Sequence, residues 1–414
     1  MSLCKRNCKA NCLYYKECGG CSLCEASLCS KNCNACFALC FQRKGIDSLL
    51  KDLNSTIKTN TFINLPYHIP ILPDPLRKIP DELNRTIAVH GGNMFSRKGE
   101  HIYKKYREKG FQEALKIPSD IEGILEFYVK DRTLEGFWDK RKTIYPNLKN
   151  INFKAVIAPN FSVYEDAPRI DHLYNMKRSR TVYNELLDYG INSIPDISWY
   201  NRQDLEWWAN EITHKNIKLI AFSFQVVDVG LKTSNIWRFN LLGFRYLCQN
   251  IPSDVHIIVA GVVSPFRVYE VISASGGRKI HILNQSAFVQ SRRGVLSENR
   301  QSCPELSFDD LFKRNLEYFN NLYYQMNTSS LVSDLLTQSN ENIKEYFLDP
   351  DRNKFNDKLS NSLIERIIRK RRIKIDTKEE KKCQKQEEAE QSQQTEVQQE
   401  AETAEQQETL QKIY

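Results

Sequence analysis

Seven short apolar runs recur between residues 85 and 286: RTIAVHGG (85–92), GILEFYVKD (123–131), FKAVIAPNFS (153–162), INSIPDIS (191–198), IKLIAFSFQ (217–225), VHIIVAGVVS (255–264) and RKIHILNQS (278–286). Amphipathic segments alternate with them, among them RIDHLYNMKRSRTVYNELLDYG, RQDLEWWANEITH, SNIWRFNLLGFRYLCQN and PFRVYEVISASGG. Their apolar residues fall at three- and four-residue spacing, and several end at glycine. A strand that is apolar along its whole length is buried on both faces, which requires a parallel sheet covered by helices. About seven such strands over about 200 residues suit a closed or nearly closed (β/α) barrel better than an open doubly wound sheet. The expected fold class is therefore α/β, a barrel-like parallel sheet of about seven to eight strands.

The rest of the chain is organised around that body. Residues 1–44 form a cysteine-rich module, and the proline-rich stretch 45–84 reads as an extended connector lying on a larger body. Residues 85–300 are the barrel. Residues 301–376 read as a helical extension that ends in a basic amphipathic helix, LIERIIRKRRIKI. The Glu- and Gln-rich tail 377–414 carries almost no large apolar residue, so disorder and recruitment of a protein partner are expected there. MSLCKRNCKANC has no apolar h-region, and the longest apolar runs fall far short of a membrane span, so a cytoplasmic chain without membrane contact is expected. The net charge of +8, with Lys and Arg crowded into 97–154, 169–180 and 366–382, permits nucleic acid as a partner.

Ten of the 13 cysteines precede residue 41: Cys4, Cys8, Cys12, Cys18, Cys21, Cys24, Cys29, Cys33, Cys36 and Cys40. In a reducing compartment such a cluster points to metal rather than disulfides. Gaps of two to four residues let tight turns aim thiolates at one ion, and tetrahedral zinc needs four of them. Zinc is the expected metal. An iron–sulfur cluster of the 4Fe–4S kind is the alternative: Cys18, Cys21 and Cys24 form half of a ferredoxin-like run, and Cys29, Cys33 and Cys36 have the spacing of radical S-adenosylmethionine enzymes.

Parallel α/β folds bind ligands where the strands end and the loops leave. The polar residues at those ends give the candidate site. Asp196, inside IPDISW, is the candidate general base or nucleophilic carboxylate; Gln225, inside FSFQVV, and His90 join it as catalytic candidates. Asp204 suits the start of the following helix better than Asp196 does. Asn160, Ser162 and Asn284 are candidates to read a polar substrate such as a base edge. Asp166, Arg169, Lys177 and Arg180 follow the third run, and Lys177 and Arg180 at i, i+3 share a helix face able to hold a phosphate. Arg292, just past the last run, is a second phosphate contact. No Walker A, G-x-G-x-x-G or G-x-S-x-G pattern occurs, which disfavours P-loop and serine-hydrolase chemistry.

The text APNFSVYEDAPRIDHLYNMKRSR…GINSIPDISWYNRQDLEWW resembles an uncharacterised family, a domain of unknown function carried by bacteria, phages and mobile elements. The resemblance covers roughly residues 60–295 and rests on Pro159 to Ser162 with Asp166 and Pro168; it implies a fold rather than an activity. More distantly, HIIVAGVVSPFRVYEVISASGGRKIHILNQSAFVQSRRG is similar in layout to the last strands of the tRNA-guanine transglycosylase barrel. Where that family has Asp-Ser after its final strand, this chain has Asn284, Gln285 and Ser286, and the family's zinc ligands sit late in its chain. Only a fold-level analogy carries over. The functional expectation is a metal-bearing barrel protein acting on nucleic acid or on a nucleotide or base. The alternatives are a non-catalytic binding or scaffold protein of a mobile element, and an iron–sulfur enzyme.

Overall fold

The computed structural model describes residues 55–76, 85–163, 169–225 and 235–328, without the side chains of 169–171 and 235. The chain divides into the units Met1–Asn353 and Lys354–Tyr414, and all described residues lie in the first. The cysteine module, the basic helix and the acidic tail lie outside the described residues.

Eight parallel strands alternate with helices. They are β1 (His68–Leu72), β2 (Thr86–His90), α1 (Gly91–Met94), α2 (Lys104–Leu115), β3 (Glu122–Glu126), α3 (Asp131–Ile151), β4 (Ala155–Ile157) and α4 (Arg169–Asp188). Then follow β5 (Ser193–Ile194), α5 (Arg202–His214), β6 (Leu219–Ser223), α6 (Asn235–Asn250), β7 (His256–Ala260), α7 (Pro265–Ala274), β8 (Ile280–Asn284), α8 (Ser286–Arg292) and α9 (Phe308–Thr328). The hydrogen-bonded order is β5-β4-β3-β2-β1-β8-β7-β6. A bridge between Asp196 and Ala221 joins the two outer strands: Ala221 N donates to the Pro195 carbonyl at 2.9 Å, and Ile197 N donates to the Ala221 carbonyl at 2.9 Å. The sheet is thus rolled into a (β/α) barrel with its strands in chain order around the axis.

Side chains alternate along each strand, so each strand feeds two cores. Ile87, Leu125, Val156, Ile220 and Val259 face outward into the layer beneath the helices. Ala88, Ile124, Ala155, Ile157, Ile194, Leu219, Ala221, Ile258, Ala260 and Leu283 fill the barrel interior. Small and branched residues alternate there, as a packed barrel core requires.

All seven apolar runs contain strands β2 to β8. The expected connector is different: it carries β1, which pairs with β2 through Ile71–Ala88 and with β8 through Ile69–Leu283. Pro70 has no N–H to give to a ladder, and prolines flank the strand, so local chemistry argued against it. Closure of the sheet on both sides overrides that preference. Upstream, residues 55–66 run as a strap across the amino-terminal end of the barrel. Asn60 Nδ2 donates to the Ser193 and Leu219 carbonyls at 3.1 and 3.4 Å, and Leu65 is buried with the interior core.

Two buried histidines tie these outer pieces down. His281 points into the barrel, and its Nδ1 donates to the Pro66 carbonyl at 2.8 Å. His68 faces the opposite way and meets Asn320 of α9 at 2.8 Å. Burial lowers His68 to about 4, with its asparagine partners opposing, and lowers His281 to about 3, with the Pro66 carbonyl opposing. The unfolded chain protonates both near 6.5. Their contribution to stability is therefore present above that value and is lost as pH falls through the depressed folded values. Chemical denaturation at neutral pH and near pH 5 should show a loss of about 1.4 kcal/mol per group per pH unit. His281→Leu should flatten that slope.

Candidate functional site

The carboxyl ends of the strands carry the polar part of the interior. On β3 and its continuation, Ile124, Glu126 and Tyr128 alternate with the outward residues Leu125 and Phe127, which places Glu126 and Tyr128 on the inner face. His90 pairs in register with Glu126 across β2 and β3, and its Nδ1 hydrogen-bonds Glu126 Oε1. Because a carboxylate oxygen accepts, Nδ1 carries the proton, and Nε2 is the nitrogen outside that bond. Glu126 is fully buried, and its other oxygen accepts from the Tyr128 backbone N–H at 2.7 Å. The His90 side chain is 29% exposed. Burial by itself would lower its pKa; the hydrogen bond and charge of Glu126 outweigh this and hold it above 6.5. Gly92 makes room for the ring, since a Cβ there would stand 2.6 Å from His90 Nε2.

A second pair lies beside the first. Tyr128 Oη donates to Asp196 Oδ1 at 2.8 Å. Asp196 is 0% exposed, and its Oδ2 is buried without a hydrogen-bond partner. Burial raises the Asp196 carboxyl from 3.8 to about 7, against the lowering effect of the Tyr128 hydrogen bond. The same burial, with the neighbouring Asp196 and Glu126 charges, pushes the Tyr128 phenol well above its ordinary range. The mouth thus holds a carboxylic acid that carries its proton near neutrality and an imidazole braced by a buried carboxylate. The Asp196 carboxyl, at about 7, can exchange its proton in the physiological range.

Removing the phenol should show up in stability. Tyr128→Phe takes away the hydrogen-bond donor of Asp196, and a denaturation series should record a loss of about 1–3 kcal/mol. The loss should be larger above pH 7, where Asp196 ionises, than below it.

The other predicted residues fall in different places. Asp196 and His90 are brought together through β3, while Gln225 lies exposed just beyond β6. Its backbone N–H donates to Ser223 Oγ at 3.2 Å, and Gly261 (φ +83°) lets the end of β7 approach it closely. Asn284 faces out of the barrel: its Nδ2 donates to Tyr323 Oη of α9 at 2.9 Å, and its Oδ1 accepts from the Ser286 N–H at 2.9 Å. It has the outward parity of Ile282, so it is an anchor for α9 rather than part of the mouth.

The expected phosphate face of α4 is also corrected. Lys177 and Arg180 are 5% and 7% exposed; Lys177 Nζ donates to Ser55 Oγ, and Arg180 packs over the Trp207 ring at 4.2 Å. Helix α4 is enclosed by the strap and by Trp207, so its mid-helix cations serve packing. Asn160 is half-buried at the end of β4. Ser162 Oγ donates to Asp131 Oδ1 at 2.8 Å and its carbonyl accepts from Asn175 Nδ2 at 2.6 Å. Arg178 locks that loop from below, bidentate to Glu135 at 2.9 Å and stacked on Phe161 at 4.1 Å. Asp166 and the side chain of Arg169 lie outside the described residues. Arg292 is exposed and paired with Asp74 at 2.9 Å. Asn201 and Asp204 form a reciprocal capping box at the start of α5, so Asp204 is the cap and Asp196 is left for the interior.

Glu126 and Tyr128 were not among the sequence candidates. The signal for Glu126 was present: a glutamate at an inward-parity position in an otherwise apolar strand is costly unless it is partnered.

Among the described residues no helix is long and apolar enough to cross a membrane, and no group of three or more His, Cys, Asp or Glu side chains is arranged to hold a metal ion. The class defined by fold and mouth is a (β/α) barrel with an acid–base cluster at the carboxyl ends of its strands. Residues 104–268 match a family described as "Domain of unknown function (DUF4417)". That match falls inside the span of the resemblance seen in the sequence and covers β3 to β7. A 77-residue stretch is 29% identical to the "Gene 1 protein" of Mycobacterium phage D29, which is 19% of this chain and 28% of that protein. The match thus spans well under two thirds of the phage protein's length.

Proposed function

We propose that this chain is an acid–base enzyme working at the carboxyl-terminal mouth of the barrel on a nucleobase or a nucleotide-like substrate. One observation carries the reading: a wholly buried carboxyl, Asp196, keeps its proton to about pH 7 and has one oxygen, Oδ2, committed to nothing. Such a group is suited to donate a proton to a leaving or tautomerising nitrogen or oxygen. His90, fixed by Glu126, offers Nε2 as the second proton-handling group. The positive balance of +8 supports a polyanionic or phosphate-bearing partner. Fluorescence titration of a single-stranded oligonucleotide against the full chain tests the partner: affinity that falls steeply with added salt is expected, and salt-independent or absent binding would sink that part.

The amino-terminal cysteines belong to the same proposal as a zinc module, on the strength of their spacing alone. Anaerobic purification followed by elemental analysis should give a colourless protein with about two zinc ions per chain. A brown, iron-loaded protein would instead support the 4Fe–4S alternative.

A second reading has its own support. Asp196 is completely enclosed and sits where β5 and β6 meet, as a structural tie would. On that reading the chain is a binding or scaffold protein, and removing the carboxyl leaves its function intact.

A further inference from the structure

A cavity of about 510 Å3, with none of His90, Glu126, Tyr128 or Asp196 in its lining, opens between α8, the start of α9 and the end of β1. Its size is that of ordinary small-molecule sites, roughly 300–1,000 Å3. One wall is aromatic and aliphatic: Phe288 and Phe308 meet edge to face at 5.3 Å, with Leu306 and Leu311 beside them. The lining also carries two opposite charges, Asp74 and Arg292, whose ion pair spans 2.9 Å. Their side chains are 53% and 64% exposed, so the pair is screened by water and readily exchanged for other partners.

The pair selects the ligand's chemistry. An apolar carboxylate docking on Arg292 would be brought up against the Asp74 carboxylate. An apolar amine docking on Asp74 would be brought up against the guanidinium. A molecule that carries an ammonium and a carboxylate on the same carbon meets both charges at once, and its apolar remainder has the Phe288 and Phe308 wall to cover. We propose that this cavity binds a free amino acid with a large aromatic side chain, held by Arg292 at its carboxylate and Asp74 at its ammonium. The site is independent of the acid–base proposal.

Calorimetric titration of the full chain with L-phenylalanine, phenylacetate and 2-phenylethylamine tests it. Saturable binding of L-phenylalanine is expected, with both single-charge analogues weaker by about tenfold or more. Leu306→Trp should fill the cavity and abolish binding. Arg292→Gln, a surface change that leaves the fold alone, should weaken it by about tenfold. Absent binding of L-phenylalanine, equal binding of either analogue, or full affinity in Arg292→Gln would each overturn the proposal.

Discussion

Asp196→Asn should lose turnover by roughly 10²- to 10⁴-fold, the usual worth of a positioned general acid or base. Asparagine keeps the shape and can still accept the Tyr128 hydrogen bond, but it has no proton to give. Stability should move the other way. The folded carboxyl titrates at about 7 and the unfolded one at 3.8. The contribution of the protonated group is therefore fully present below 3.8 and is lost as pH rises through about 7. At about 1.4 kcal/mol per unit, the wild-type chain gives up a few kcal/mol across that window that the asparagine variant keeps. Denaturation at pH 5 and pH 8 should show the variant relatively more stable at the higher value. A variant that gains stability and keeps its cellular function would favour the scaffold reading.

The second large effect is purely mechanical. Gly136 lies in the second turn of α3, and a Cβ there would overlap the Lys98 carbonyl oxygen. Opposite it, Gly99 (φ +74°) is pressed onto the Thr133 carbonyl in the same way. The turn 95–102 is itself closed by the Phe95–Ile102 bridge and by Ser96 N–H donating to the His101 carbonyl at 2.9 Å. Both contacts are backbone on backbone, so no side chain can rotate away. Gly136→Ala should cost about 3 kcal/mol in denaturant unfolding. It should also disturb the mouth, because α3 begins just after the β3 extension that bears Glu126 and Tyr128. A cost below about 0.5 kcal/mol, the range of neutral surface changes, would show that the turn and helix are not docked this way.

Much of this architecture could be read from the apolar runs, because a strand buried on both faces announces itself without alternation. The strand that escaped, β1, is short and proline-bearing; only its two neighbours make it a strand, and neighbours are not a local property. At the mouth the burial of Asp196 was legible, since a carboxylate stands among apolar residues in IPDIS. Asn284 was misplaced by a single question of parity: reading strand ends as polar says nothing about which face the last residue takes. Glu126 and Tyr128 were missed because the second run, GILEFYVKD, is longer than the strand it contains. The run extends to Asp131, whereas β3 ends at Glu126, so the run's carboxyl end lies several residues past the inward-facing pair. Lys177 and Arg180 do share a region of α4, but helical spacing cannot reveal that a strap from residues 55–66 and a tryptophan from α5 cover it.

The chemistry proposed for the mouth depends on the protonation of one carboxyl, that of Asp196. Carbon-13 NMR of the chain labelled at aspartate side-chain carboxyls, with Asp196→Asn to assign the signal, measures it directly. The predicted result is a carboxyl that titrates near 7 and moves higher in Tyr128→Phe. A signal that titrates near 3.8, the ordinary aspartate value, would contradict the buried acid and the chemistry built on it.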